Sequence, residues 1–354
     1  MILSETGQDA AYYKWGDPTA DKRIEHSWNE VAEHFNITRE TIRSAARKYR
    51  AGHPAEFTEQ DTPHLLEIEG VTADDYLPDE EDVYQRACVE YEKVRALYER
   101  KAHQHIDFDS GPIAIVEVAD LHAGDIGVDY ERAFAEAEII RETPGMYVIT
   151  VGDMVNNFII GTLSQARSGT RLSIPDEWAL LRRYLKIIAP KWLLSVGGNH
   201  DQWTTMLTGV DYFADIVGQI KSRVIYDSDD VVFTLNVGDW SIPCRARHKW
   251  RGNSIYNVTH AIERAAKFDH DFLIGFGAHT HTGGYTRDIN ISGEDGKALQ
   301  AGTYKRIDGY MKRMGFAKPN PSTAVAIVIE PEYRSLTGYN NLDACANHMN
   351  YVYE

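Results

Sequence analysis

Aspartate, histidine and asparagine recur together at the ends of short apolar runs in this sequence. Asp120-Leu121-His122 follows PIAIVEVA, Gly152-Asp153 follows MYVITV, and Gly198-Asn199-His200-Asp201 follows KWLLSV. His248 comes just after a further run, Asp239 to Ala246, and His279-Thr280-His281 follows DFLIGFGA. A hard cation prefers carboxylate and amide oxygen, whereas Mn, Fe and Zn also accept imidazole, so a mixed Asp/His/Asn set points to the second group. Two such ions held about 3.5–4 Å apart can bind a phosphate diester between them, lower the pKa of a water and offset charge on the attacking and leaving oxygens. Neither Gly-x-Ser-x-Gly nor a Gly-rich loop ending in Lys-Ser/Thr is present, so the expected nucleophile is a metal-activated water.

These clusters need elements that deliver them to one place. From Pro112 onward, short β-rich runs alternate with the helical stretches Tyr130 to Glu142 and Pro175 to Ile188. The alternation predicts an α/β domain with its polar residues along the carboxyl edge of the sheet.

The block order D-x-H, GD, GNHD, H and GAHTH resembles the calcineurin-like metallophosphoesterase superfamily, over Ile113 to Thr282 and on toward Glu330. The resemblance implies a β-sandwich flanked by helices. It implies Asp120, His122 and His281 as ligands of a first metal, Asn199, His248 and His279 as ligands of a second, and Asp153 as the bridge. It also implies His200 as the group that stabilises the transition state or protonates the leaving oxygen, with Asp201 orienting it. The expected cofactors are two divalent ions, Mn²⁺ first, with Mg²⁺, Fe²⁺ or Zn²⁺ as alternatives. Two positions depart from the family pattern: Ala278 replaces the usual glycine, and Met154-Val155-Asn156-Asn157 lacks a later acidic residue. His260 and His270 compete with His248 for its role.

Ahead of this region, Ser27 to Arg50 carries helical spacing at Trp28, Val31, Ala32 and Phe35, a break at Asn36-Ile37-Thr38, and a second periodic stretch headed by Thr38. The second stretch bears Arg39, Arg43 and Arg47, together with Lys48 and Arg50, the polarity of a helix-turn-helix recognition helix. The alternative is a helical hairpin with a solvated basic face. Near the other end, GTYKRIDGYMKRMGFAKPN interleaves aromatics, Tyr304, Tyr310 and Phe316, with Lys305, Arg306, Lys312 and Arg313, a composition that pairs base stacking with phosphate neutralisation. Its alternative is a surface turn whose aromatics pack inward. Together these segments predict a nuclease acting on DNA, similar in layout to phage-encoded phosphoesterases. The competing functions are a phosphatase or phosphodiesterase for small esters, and a DNA-binding protein without turnover.

The expected organisation is a helix-turn-helix-like segment at 1–53, an acidic linker and helix at 54–108, the phosphoesterase domain at 109–335 and a tail at 336–354. A net charge of −16 argues against broad adhesion to nucleic acid or anionic membrane. No membrane span and no secretory signal is evident, and three scattered cysteines fit a reducing compartment, so the cytoplasm is expected, the host's if the chain is phage-encoded. The oligomeric state is left open, a homodimer being one option.

Overall fold

The computed structural model describes residues 11, 13, 26–36, 38–52, 79–101, 104–159, 172–221, 223–252, 254, 256–269, 271–307 and 323–354. The chain divides into two compact units, Met1–Val89 and Glu90–Glu354. Among the described residues no helix is long and apolar enough to cross a membrane.

In the first unit, α1 (Trp28–His34) and α2 (Arg39–Gly52) form a helical pair. Ser27 starts α1 with a capping box: its hydroxyl accepts from the Glu30 amide (3.3 Å) and the Glu30 carboxylate accepts from the Ser27 amide (2.6 Å). Asn36, at φ 49°, makes the turn in a left-handed conformation that asparagine tolerates better than most residues. Val31, Ile42, Ala46 and Ala11 are buried, with Trp28, Ala32, Phe35 and Tyr49 packed around them. The long α3 (Glu80–Lys101) comes next among the described residues, and the acidic linker expected ahead of it lies outside them.

In the second unit, the described strands form two mixed six-stranded sheets. The first contains β1 (Gln104–Phe108), then β2 (Ile113–Val118) opens the other. Past α4 (Tyr130–Glu142) come β3 (Met146–Val151), α5 (Ile174–Ile188), β4 (Trp192–Val196), α6 (Asn199–Thr208), α7 (Tyr212–Ile220) and β5 (Ile225–Asp227). The chain then runs through β6 (Asp230–Val237), β7 (Trp240–Arg247), α8 (His260–Asp269), β8 (Ile274–Gly277), β9 (Tyr285–Ile291), β10 (Glu294–Gln300), β11 (Val325–Glu330), β12 (Ser335–Tyr339) and α9 (Leu342–Tyr353). The sheet orders are β1-β6-β7-β8-β10-β9 and β12-β11-β2-β3-β4-β5.

Strand periodicity assigns the two faces. Ile113 and Ile115 of β2 join Val231, Phe233, Leu235 and Val237 of β6 in the core between the sheets. Ala114, Val116 and Val118 face the other way, onto a second core with α4, α5, α7 and α9. β2, β3 and β4 are mutually parallel, as are β7 and β8 in the opposite sheet.

Two expected boundaries move. Residues 336–354 are not a tail: β12 pairs antiparallel with β11, and Asn341 caps α9, which buries Leu342, Cys345, Ala346 and Met349. Their spacing of three, one and three residues is an amphipathic helix pattern. The domain expected from 109 also begins earlier, because Gln104 to Phe108 pair in parallel with Phe233 to Val237.

Candidate metal centre

The candidate residues sit at five strand ends drawn from both sheets, rather than along one sheet edge as the alternation alone suggests. Asp120 and His122 follow β2, Asp153 follows β3, Asn199 opens α6 after β4, His248 follows β7, and His279 and His281 follow β8. Backbone bonds stitch the ends together. The amide of Asp120 donates to Gly152 O (3.0 Å), that of His122 to Asp153 O (3.0 Å), and that of Ala278 to His248 O (3.1 Å). Across the sheets, the His279 amide donates to Asp120 Oδ2 at 2.9 Å.

Five of the seven candidate ligands, Asp120, His122, Asp153, His279 and His281, have φ between 48° and 75°. Non-glycine residues pay for this left-handed region sterically and are held there only by surrounding structure. Ala278, where the family pattern has glycine, is not among the positive-φ positions. Two glycines are required by close approach. A Cβ on Gly198 would lie 2.1 Å from Asp153 N and 2.2 Å from its Oδ1, and one on Gly152, at φ 79°, would lie 2.5 Å from His248 Nδ1.

The side chains converge as two groups that share Asp153: Asp120, His122, Asp153 and His281, and Asp153, His248 and His279, the ligand atoms of each lying within 4.8 Å of one another. His122 Nε2 is 3.0 Å from His281 Nε2, which is 3.1 Å from Asp120 Oδ1. His248 Nε2 is 3.1 Å from Asp153 Oδ2 and 3.2 Å from His279 Nδ1. Ring nitrogens this close, beside buried carboxylates, leave lone pairs converging where a cation would satisfy them, and the mixed oxygen and imidazole set suits a borderline divalent ion. This buried Asp/His cluster could hold two metal ions. His248, not His260, stands with Asp153 and His279, since His260 is exposed at the start of α8, and His270 lies outside the described residues.

The electrostatics are those of closely coupled carboxylates and imidazoles. Burial would raise the Asp153 carboxyl, but His248 and His200 hold it well below the usual range. Burial pulls His248 down, yet Asp153 overrides it and lifts the imidazole to about 10. His279 falls to about 4 through burial and the neighbouring His248 charge. Burial, helped by His200 and His281, keeps His122 well below its ordinary value.

His200 stands at the rim of the cluster. Its Nδ1 lies 2.5 Å from the Asn156 carbonyl, an acceptor, which assigns the proton to Nδ1 and leaves Nε2 toward Asp153 Oδ2, 3.9 Å away. Burial lowers its pKa against the pull of Asp153. Asp201 does not have the orienting role expected of it. Its carboxylate accepts from three backbone amides, Met154 (3.0 Å), Val155 (3.1 Å) and Gly198 (2.8 Å), so it ties the Asp153 loop to the start of α6.

The basic segments divide. Arg39 and Arg47 are exposed on α2 and Arg43 is half-buried. Tyr304 is fully buried, its hydroxyl donating to Glu136 Oε2 at 2.5 Å, so it offers no ring for stacking. Lys305 is buried and paired with Asp125 (2.9 Å), and Arg306 is half-buried. Lys312 and Arg313 lie outside the described residues. Three neighbours of the site escaped the sequence reading. Asn156 orients His200, Thr303 donates from Oγ1 to Asp120 O (2.9 Å), and Glu117 is wholly buried with burial pushing its carboxyl far up. Only Glu117 left a signal, as a charge in the inward register of Ile113 and Ile115.

No family model matches the chain, and no curated protein does. Among solved structures it is similar to Pseudomonas putida nuclease MPE, at 12% identity and a TM-score of 0.31 over 63% of this chain and 86% of that one. It is similar to Chaetomium thermophilum Vps29, at 10% and 0.29 over 64% and 93%, and to Haemophilus influenzae NAD nucleotidase (NadN), at 9% and 0.32 over 65% and 50%. Likeness at this level assigns no activity.

Proposed function

We propose that the chain is a two-metal-dependent phosphodiesterase, and that its substrate is DNA. The observation that carries the reading is the pair of Asp/His groups sharing Asp153 at the strand ends of two sheets. In this reading Asp120, His122 and His281 hold one ion, Asn199, His248 and His279 the other, and Asp153 both, with Mn²⁺ the preferred metal. When bound, the ions lower the pKa of a water and offset charge on the attacking and leaving oxygens of the diester.

The protein's own groups do the rest. Asp120 and Asp153 are nearly fully desolvated, which makes their charges count for more than they would in water. His200, fixed through Nδ1, presents Nε2 to the reacting phosphate and can hold or deliver a proton at that atom. Arg39, Arg43 and Arg47 supply a basic helix face for the DNA backbone, within a helix-turn-helix-like segment ahead of the phosphoesterase domain. One observation favours the small-ester alternative: Tyr304 is fully buried, which removes a stacking ring from the expected nucleic-acid groove.

The test is paired. Wild type and a protein lacking residues 1–52 are assayed with duplex DNA and with a small chromogenic diester, at two salt concentrations and with Mn²⁺. The DNA reading expects the truncation to weaken DNA cleavage and to flatten its salt dependence by about 0.9 in log–log slope per lost phosphate contact, with small-diester turnover kept. Loss of both activities together, or of neither, rejects DNA recognition by this segment. Full turnover in the metal-free protein rejects the two-metal reading.

A further inference from the structure

The cluster carries a built cation at its edge that the ligand set does not use. The Lys305 side chain is only 10% exposed, and its ammonium is fixed by Asp125, whose other oxygen accepts from the Gly127 amide at 2.8 Å. The backbone around it is equally constrained. The Lys305 amide donates to Thr303 Oγ1 (3.0 Å), Thr303 in turn donates to Asp120 O, and the amides of Arg306 and Ile307 both donate to Gly127 O. Its ammonium lies 5.8 Å from the centre of the Phe158 ring, which is 5.0 Å from His200 and 5.4 Å from Trp203. His200 in turn is 4.5 Å from His122, so the chain of contacts leads directly into the first ligand group.

Stability gives little reason for this placement. A buried ion pair repays its desolvation poorly, and hydrophobic residues of similar volume often serve the fold as well. The charge also stands, by way of Phe158 and His200, on the side of the cluster where a cation would be held, and like charges repel. An anion that all of them share resolves the conflict. Phe158, half-buried, adds a ring beside both this cation and His200.

We propose that Lys305 and Phe158 form a nucleotide subsite on the His200 side of the cluster, the ammonium taking a non-bridging oxygen of the scissile phosphate and the ring stacking on the base attached to it. The proposal deepens the phosphodiesterase reading and rests on it for the identity of the phosphate. It separates the two residues by chemistry: Lys305 acts on any diester, Phe158 only on one that carries a base.

Two measurements on the full chain test it. The first is calorimetric binding of thymidine 3′,5′-bisphosphate to metal-free protein. Lys305→Met weakens it about tenfold to a hundredfold, as loss of a charged hydrogen bond does. Phe158→Leu weakens it about tenfold, as loss of one base stack does. Lys305→Arg, which keeps the charge, recovers part of the affinity. The second is kcat/KM with Mn²⁺ for thymidine 5′-(4-nitrophenyl phosphate) against methyl 4-nitrophenyl phosphate, which share a leaving group. Phe158→Leu lowers the ratio of the two about tenfold, whereas Lys305→Met lowers both and leaves the ratio in place. Bisphosphate affinity equal to wild type in Lys305→Met and Phe158→Leu overturns the subsite, as does an unchanged ratio in Phe158→Leu. If Lys305→Met fails to fold, Phe158→Leu decides alone. If wild type turns over neither ester while bisphosphate binding depends on both residues, the subsite holds and the phosphodiesterase reading falls.

Discussion

His248 couples metal uptake to pH, and the size of the coupling follows from its surroundings. In the metal-free chain its Nδ1 lies 2.8 Å from Val151 O and its Nε2 3.1 Å from Asp153 Oδ2, so both nitrogens face acceptors and the imidazole is held protonated up to about pH 10. A cation taken at Nε2 must displace that proton. At pH 7 the gap is about three pH units, and at about 1.36 kcal/mol per unit this costs about 4 kcal/mol, or about a thousandfold in affinity. Affinity at this ion's site therefore rises about tenfold per pH unit from 7 toward 10 and then levels off. A histidine with an ordinary pKa would give a flat line above about pH 7. Stability of the metal-free chain runs the other way: a raised folded pKa contributes fully below the unfolded value of about 6.5 and is lost as pH rises through 10. The assay is calorimetric titration with Mn²⁺ at pH 6.5 to 8.5 in two buffers of different ionisation enthalpy, read as protons released per protein. About one proton comes from His248, with a further contribution from His281, which Asp120 raises against the effect of burial. No proton release at pH 7.5, or affinity that does not change between pH 7 and 8.5, refutes the coupling.

Three substitutions probe the scaffold around the cluster. Gly198→Ala puts a methyl within 2.2 Å of Asp153, so the purified protein is expected to fold yet to hold less than the wild-type metal content by elemental analysis. Asp201→Ala strands three buried amides at about 1–3 kcal/mol each and frees the Asp153 loop, so denaturant melts and metal content should both fall. Glu136→Ala removes the buried acceptor shared by Arg132, Tyr304 and Thr323, and chemical unfolding should show a loss of about 3–5 kcal/mol without a change in metal stoichiometry.

Much of the site was legible because its residues follow strands. An apolar run that stops at Asp, Asn or His announces both the strand and the ligand, and the helix Tyr130–Glu142 could be read to the residue. What could not be read depends on distance in space. Nothing local says that β7 and β8 belong to a different sheet from β2, β3 and β4, or that Asp201 faces three amides rather than His200. Tyr304 and Lys305 look like a surface patch because alternating aromatic and basic residues fit an exposed groove as well as a buried one. The buried Glu136 that accepts from Tyr304 lies 168 positions away. The carboxyl-terminal helix is the opposite case, since the apolar spacing of Leu342, Cys345, Ala346 and Met349 is local and present in the sequence.

The left-handed backbone at Asp120, His122, Asp153, His279 and His281 sets this cluster against the thermal endurance of its own scaffold. Each such position costs about 1–3 kcal/mol that a glycine would not. Sequences selected only for resistance to heat would therefore drift away from these aspartates and histidines, and a search for hardier variants of the metal-free protein would tend to recover ones that had lost the site. Screening such variants with the metal present reverses the incentive, because any cation that binds only the folded chain returns stability in proportion to its occupancy.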